Sequence, residues 1–328
     1  MQKLDRKIVL VTRKTRLEDM VVRNSTRSMA RFRVTQQQGD WSDFESEHTL
    51  YQQTVDTLHT RLQELCRVAH IERSFLPTYV FGPQDVIICI GQDGLVANTL
   101  KYTDGQYVMG VNPEPKRFDG LLLGWTSDGL DALVNDAERA LQFKLEHRAV
   151  SMAEACLSDG QVLRAVNDIF IGIRSHSSAR YKISHRNLTE RQSSSGVIIT
   201  TGMGSTAWMK SILNTASTLM GSIKGQPAPP PPPINLPWDA RELLFAVREA
   251  FPSKWTKSSL VFGRVLENEP VRIISEMPES GIIFSDGMEK DAIEFNSPLS
   301  VVIGLAKIQS KVGWPTPSTA AVRRSKRK

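Results

Sequence analysis

The run Val86-Ile87-Ile88-Cys89-Ile90, followed at once by Gly91-Gln92-Asp93-Gly94, constrains this chain more than any other stretch. Five apolar residues without alternation read as a strand buried on both faces, as happens inside a parallel sheet. Gly91 and Gly94 bracket a tight turn, and Leu95-Val96-Ala97-Asn98-Thr99-Leu100 can open a helix behind it. Free N–H groups at a helix start favour anions. Asp93 therefore stands where a phosphate is expected and would repel one, which points to a different partner for the carboxylate, such as a hydroxyl.

The 328 residues suit two domains of roughly 100 to 200 residues each. No apolar run approaches the roughly 18 residues of a membrane span, so no membrane partner is expected. Cys66, Cys89 and Cys156 are odd in number and lack metal-ligand spacing, which predicts neither a disulfide nor a metal site. The start, MQKLDRKIVLVTRKT, enters a strand at Lys7 to Thr12 without a targeting segment, and this predicts a cytoplasmic protein. Arg323, Arg324, Lys326, Arg327 and Lys328 supply all but one unit of the net charge of +6. The body is thus close to neutral, and nucleic acid is not expected as a partner.

After the first strand, residues 13 to 40 are basic and irregular, and the spacing of Tyr51, Val55, Leu58, Leu62, Leu65 and Val68 predicts a helix over 43–69. Strands are predicted over 74–80, 86–90 and 106–111, then a helix over 128–146. From about Ala149 the pattern turns to short strand-like segments: 149–157, 168–174, 180–184, 197–201, 243–247, 271–274, 281–284 and 299–303. The predicted fold class is an α/β N-terminal domain with a parallel sheet plus a mostly β C-terminal domain. The expected boundaries are 1–125, 126–305 with a proline-rich insertion near 226–237, and a terminal segment 306–328 with a flexible tail. Five consecutive prolines, Pro229 to Pro233, mark that insertion as an extended surface loop.

A second glycine stretch, GVIITTGMGSTAW (196–208), carries a strand into a turn and a helix reaching Leu219. It formally matches a dinucleotide fingerprint, but no Asp or Glu follows Trp208 until Asp239, where that fingerprint needs one about 20 residues on. Neither glycine turn continues as the Gly-Lys-Ser/Thr of a nucleotide-triphosphate loop. Lys14 and Arg16, just past the first strand, are candidates to neutralise phosphates, although a solvated loop explains them equally well.

Taken in order, Gly91-Gln92-Asp93-Gly94, Asn167-Asp168 within AVNDIFIG, and Gly204-Ser205-Thr206-Ala207-Trp208 resemble the motif set of the NAD kinase family. VTRKTRLED (11–19), GVNPEPKRFDGLLL (110–123), SHSSARY (175–181) and LLFAVRE (243–249) are most similar to its mitochondrial-type branch. The resemblance implies an N-terminal α/β and a C-terminal β-rich domain with ligands in the cleft between them. It also implies NAD as substrate, ATP or another phosphoryl donor with Mg2+, and a homo-oligomer. Asp93 becomes the catalytic base for the adenosine-ribose 2'-hydroxyl. Gly91, Gly94, Asn167, Asp168, Thr206, Ala207, Trp208, Lys14 and Arg16 become nucleotide-binding residues. Gln92, Met203 and Ser195 depart from the pattern. Two alternatives stay open: a non-catalytic nucleotide-binding protein, and a kinase of the same superfold acting on a lipid or other hydroxyl.

Overall fold

A computed structural model of the chain describes residues 6–231 and 233–316. The start at Met1 to Asp5, the basic tail and Pro232 of the proline run lie outside the described residues. Two compact units are present, one made of the residues up to Arg148 together with those from Ser310, the other of Ala149–Gln309. The chain begins with β1 (Lys7–Thr12), α1 (Arg16–Asn24), α2 (Arg27–Gln36), α3 (Trp41–Gln63), β2 (Arg67–Glu72), β3 (Val86–Ile90) and α4 (Asp93–Leu100). It continues through β4 (Tyr107–Asn112), β5 (Trp125–Thr126), α5 (Leu130–Leu141) and β6 (His147–Val150). Next come β7 (Ala153–Leu157), β8 (Val162–Ala165), β9 (Asp168–Ile173), β10 (Ala179–His185), β11 (Leu188–Ser194), β12 (Val197–Thr200) and α6 (Trp208–Lys224). The remainder is β13 (Glu242–Val247), β14 (Phe262–Leu266), β15 (Val271–Ser275), β16 (Gly281–Ser285), β17 (Met288–Glu294), β18 (Ser300–Leu305) and β19 (Ser310–Gly313).

The first unit is an α/β layer structure. Its sheet runs β2-β1-β3-β4-β19-β6, with β5 also on β4. The pairs β1–β2, β1–β3, β3–β4, β4–β5 and β4–β19 are all parallel. Every residue of β3 is buried, as its unbroken apolar run requires. Ile88 and Ile90 share a core with Tyr51, Val55, Leu58 and Leu62 of α3 and with Leu133 and Ala137 of α5. Cys89 turns to the other face, where its thiol donates to Thr99 Oγ1 of α4 at 3.3 Å. The chain steps from β1 out to β2 and then back across to β3, so the sheet's switch point lies between β1 and β3. Open α/β sheets bind ligands at the carboxyl ends of the strands at such a point.

The second unit is a sandwich of two antiparallel sheets, β11-β10-β15-β18-β7-β8 and β14-β13-β12-β9-β16-β17. Alternate residues of both sheets, among them Ile183, Ile273 and Ile303 on one side and Ile171, Ile199 and Phe245 on the other, form a single core. The outer face of the second sheet carries α6, with Met209 against Leu244 and Ala246 and with Trp208 and Ile212 against Phe170 and Ile198.

Several expectations are corrected. Residues 13 to 40 hold two helices, the first opened by a capping box in which Thr15 and Glu18 bond each other's backbone N–H. The helix predicted over 43–69 stops at Gln63, and Arg67–Glu72 forms strand β2. Leu65 and Val68 do pack on the same core, which is why they extended the helical spacing. Residues Arg73–Thr78 are a 3-10 turn containing Pro77, a residue that cannot donate to a central ladder. The expected boundary at 125 falls inside the first unit, because α5 buries Leu133, Ala137, Ala140 and Leu141 in that unit's core. Leu133 is fully buried. Leu133→Ala should accordingly cost about 2–5 kcal/mol in chemical denaturation of the transition assigned to the first unit, and a loss confined to a transition of the second unit would refute the assignment.

Candidate functional site

The residues singled out in the sequence fall into two groups, one in each unit. In the first, Gly91 leaves β3 and Asp93 begins α4. Gln92 occupies the N-cap with no side-chain capping bond, so the leading N–H groups of α4 are left without that partner. Its φ of −102° and ψ of 168° are open to any residue, and its side chain points into solvent. The departure from glycine at this position therefore imposes no backbone strain.

The Asp93 carboxylate is held in a fixed orientation. Oδ2 accepts the N–H of Leu121 at 2.9 Å and Oδ1 that of Leu122 at 2.8 Å. Gly110 of β4 makes room for this loop, since a Cβ there would meet the Leu122 carbonyl oxygen at 2.4 Å. A carboxylate has about four lone-pair directions, so two remain. The side chain is half-buried.

Beside the turn lies Arg13, which the sequence reading passed over. A Cβ on Gly91 would meet Arg13 Nε at 3.6 Å. The Arg13 N–H donates to Tyr51 Oη at 2.9 Å, and Tyr51 Oη donates to the Ile90 carbonyl at 2.8 Å, tying together the ends of β1 and β3. The guanidinium bonds Glu47 at 3.1 Å, while its buried Nε has no hydrogen-bond partner. Arg16 is drawn elsewhere: it bonds Glu47 and, at 2.8 Å, Asp43. Hydrogen bonding from Arg16 holds Asp43 below the usual carboxyl range. Burial pushes Glu47 up, but the hydrogen bonds from Arg16 and Arg13 outweigh it and leave that carboxyl lowered. Arg117 extends the network by bonding Asp43 and Glu114. Lys14 is exposed and lines a cleft of about 380 Å³ with Arg13, Glu18, Tyr51 and His70. The sequence offered three cations in a row of six, and only tertiary packing separates Arg13 at the glycine turn from Arg16 in its ion pairs.

In the second unit, the loop entering β9 and the turn after β12 are joined. The Thr201 N–H donates to the Asn167 carbonyl at 2.9 Å, and the Thr201 hydroxyl donates to the Val166 carbonyl. Gly204 lies so close that a Cβ would meet the Asn167 oxygen at 2.3 Å. Thr206 and Ala207 are exposed, whereas Trp208 stacks on Phe170 at 5.7 Å and 13°, with Arg248 over its ring at 5.7 Å. Trp208 is thus at least partly a packing residue.

Asp286, also unforeseen, organises this group. It sits with Gly287 in the turn between β16 and β17, at φ of 53° and 69°. The Asp-Gly pair between two strand-like runs is the sequence signal for such a turn. Its carboxylate accepts the N–H groups of Val166 at 3.0 Å, Asn167 at 2.7 Å and Asp168 at 3.1 Å. Asp168 itself is buried, and its Oδ1 has no hydrogen-bond partner. Burial pushes its carboxyl up to about 7, with the charge of Asp286 adding to the effect and the Thr200 hydroxyl opposing it. A buried carboxyl with a vacant acceptor is suited to a hydroxyl or amino donor of a ligand. Among the described residues no cluster of three or more His, Cys, Asp or Glu side chains could hold a metal ion.

No family model matches the sequence. No curated protein matches it either. Solved structures do. An NAD kinase from Archaeoglobus fulgidus in complex with ATP superposes with a TM-score of 0.53 at 14% identity, over 98% of this chain and 98% of that chain. Yeast NADH kinase complexed with NADH gives a TM-score of 0.54 at 13% identity, over 96% of this chain and 85% of that chain. The chain has the NAD kinase fold. At such identities the likeness speaks for architecture, and the chemistry has to be argued from this chain's own residues.

Asp168 generates a pH prediction. Its carboxyl is raised from 3.8 to about 7 on folding, so the folded state binds more protons than the unfolded state between those values. Stability should fall as pH rises from about 4 to about 7 and then level off. Asp168→Asn should lose that part of the slope in thermal unfolding. Parallel profiles for the two proteins would show that Asp168 titrates normally.

Proposed function

We propose that this protein is an NAD kinase of the mitochondrial-type branch, transferring a phosphoryl group to the adenosine-ribose 2'-hydroxyl of NAD to give NADP. The observation that carries the reading is the Asp93 carboxylate, oriented by the N–H groups of Leu121 and Leu122 at the carboxyl end of a central strand. In the proposed step the ribose oxygen attacks the donor's terminal phosphorus, a new P–O bond forms and the bond to the leaving diphosphate breaks. The hydroxyl proton passes to the free lone pair of Asp93. The protein's part in such transfers is mainly positioning and charge stabilisation.

ATP as donor is supported by the Archaeoglobus neighbour in complex with ATP, and NAD or NADH as acceptor by the yeast neighbour in complex with NADH. Arg13 and Lys14 are assigned to the donor's phosphates. Arg16, with two carboxylates already on it, is assigned to orienting α3 and Arg13. Gly91 and Gly94 let the backbone approach the ligand. Asn167, Asp168, Thr206, Ala207 and Trp208 are assigned to ribose hydroxyls and base edges. Mg2+ is taken to arrive on the donor's phosphates, where it would neutralise charge. No helix among the described residues is long and apolar enough to cross a membrane; a cytoplasmic homo-oligomer completes the proposal. Gln92, exposed at the N-cap where the family motif has glycine, is the one feature favouring a non-catalytic nucleotide-binding protein.

Purified protein with NAD, ATP and magnesium, coupled to an NADP-specific dehydrogenase, should produce NADP. Absence of NADP with every donor tried, while NAD still binds, would favour the binding-only reading. Asp93→Asn should lower turnover by about 100- to 10,000-fold, the usual range for a general base. The structure adds a complication: Asn sets an NH2 group against one of the two amides that Asp93 now accepts. A local cost of about 1–3 kcal/mol is therefore expected as well, and chemical denaturation of the same variant reads that cost separately from the loss of turnover. If the variant raises KM while turnover is intact, Asp93 binds ribose without catalysing transfer.

A further inference from the structure

A second cleft, of about 400 Å³, lies in the second unit at the edge strand β11, and none of the residues assigned to the proposed activity lines it. Its floor is formed by β10 and β11, where Arg180 is the register partner of Ser193, and Arg191 stands two positions along on the same outward face. Its wall is the segment after β13 that carries Phe251 and Trp255. These two aromatic side chains are 66% and 79% exposed. Such exposure is not that of a loose loop. The Phe251 N–H donates to the Ser193 carbonyl at 2.8 Å and the Lys257 N–H to the Arg191 carbonyl at 3.0 Å, so the segment is laced to the strand at both ends. Within it, the Thr256 hydroxyl donates to the Phe251 carbonyl at 2.7 Å, and the hydroxyls of Ser253 and Thr256 lie 2.8 Å apart.

The charge of the cleft is unbalanced. Glu276 bonds Arg191 Nε at 2.6 Å, but among the described residues Arg180 has no ion-pair partner. One carboxylate therefore faces two guanidiniums. Rigid aromatic rings held out in solvent next to an uncompensated guanidinium suit a ligand that combines a flat heteroaromatic ring with an anionic group. The ring gains by stacking and the anion by a forked, charge-assisted hydrogen bond. The volume falls in the range of small-ligand pockets, about 300–1,000 Å³.

We propose that this cleft is a binding site for a purine nucleotide, with Trp255 and Phe251 taking the base and Arg180 the phosphate. It is a site additional to the glycine turns and does not depend on the activity proposed above. Its natural use would be to sense a nucleotide, since its carboxylate, Glu276, is committed to Arg191 and the hydroxyls of Ser253 and Thr256 to each other.

The test uses the full chain carrying fluorotryptophan, with the Trp255 resonance assigned by its loss in Trp255→Phe. Titration with ATP should shift that resonance saturably. Arg180→Ala should weaken the response about ten- to a hundredfold, as expected for loss of a charged hydrogen bond. Ribose 5-phosphate and adenosine, each lacking one half of the proposed ligand, should act at much higher concentration. The reading is overturned if ATP leaves the Trp255 resonance unmoved, if Arg180→Ala responds as the parent does, or if ribose 5-phosphate is as effective as ATP. It is likewise overturned if a peptide of residues 226–237 shifts Trp255 and ATP does not, because the groove would then hold proline-rich chain. Since the signal comes from Trp255 alone, its failure and a failure to make NADP are read separately.

Discussion

A strand buried on both faces can expose nothing polar along its length, so any chemistry it supports must occur where it ends. β3 is such a strand, and the chain places a glycine turn, an acid and a helix start at its carboxyl end. The neighbouring strand is brought to the same level by Tyr51, whose hydroxyl joins the Arg13 N–H to the Ile90 carbonyl. That hydroxyl is buried, and burial pushes its pKa up, so it remains a neutral donor and acceptor over any ordinary pH. The switch point of the sheet, Arg13 and Asp93 are all consequences of how β1 and β3 end.

The two units use one device in common, an aspartate that accepts consecutive backbone N–H groups of a loop. Asp93 does so with Leu121 and Leu122, and Asp286 with Val166, Asn167 and Asp168. Charge-assisted bonds of this kind are stronger than neutral ones and hold a loop that has no regular ladder. The consequences differ. Asp93 is half-buried and keeps open lone pairs, which leaves it able to act on a ligand. Asp286 spends its carboxylate on three amides, and its charge adds to the burial that raises the neighbouring Asp168. One aspartate thus keeps acceptor positions open, while the other has its carboxylate filled by the loop beside it.

Cations show the same division of labour. Arg13, Lys14 and Arg16 lie within four residues, yet Arg16 is paired with two carboxylates, Lys14 is exposed and Arg13 is half-buried against the glycine turn. The exposed Arg16–Asp43 pair contributes little to stability, on the order of 0–1 kcal/mol, whereas Glu47 is buried and held by Arg13 and Arg16 together. The importance of these pairs here is geometric, because Glu47 and Asp43 determine which guanidinium is left near the turn.

What the sequence determined by itself was whatever depends on local pattern. The unbroken run at 86–90 read as a buried strand, the alternating segments after Ala149 as a β-rich half, and the fold class followed from their order. The candidate residues Asp93, Asn167, Asp168 and Trp208 stood out because each belongs to a strand-turn-helix or strand-start signature. Tertiary structure decided the rest. The helical spacing at Leu65 and Val68 continued past the real end of α3 because a strand can supply the same core with apolar residues. Helix α5 joined the first unit because its apolar stripe found that core, a choice between partners that periodicity does not encode. Arg13 and Asp286 escaped notice because neither a run of cations nor an Asp-Gly turn says which distant groups will face its side chains. Their roles arise from groups as far away as Tyr51, 38 residues on, and Val166, 120 residues back, brought within hydrogen-bond reach only by folding.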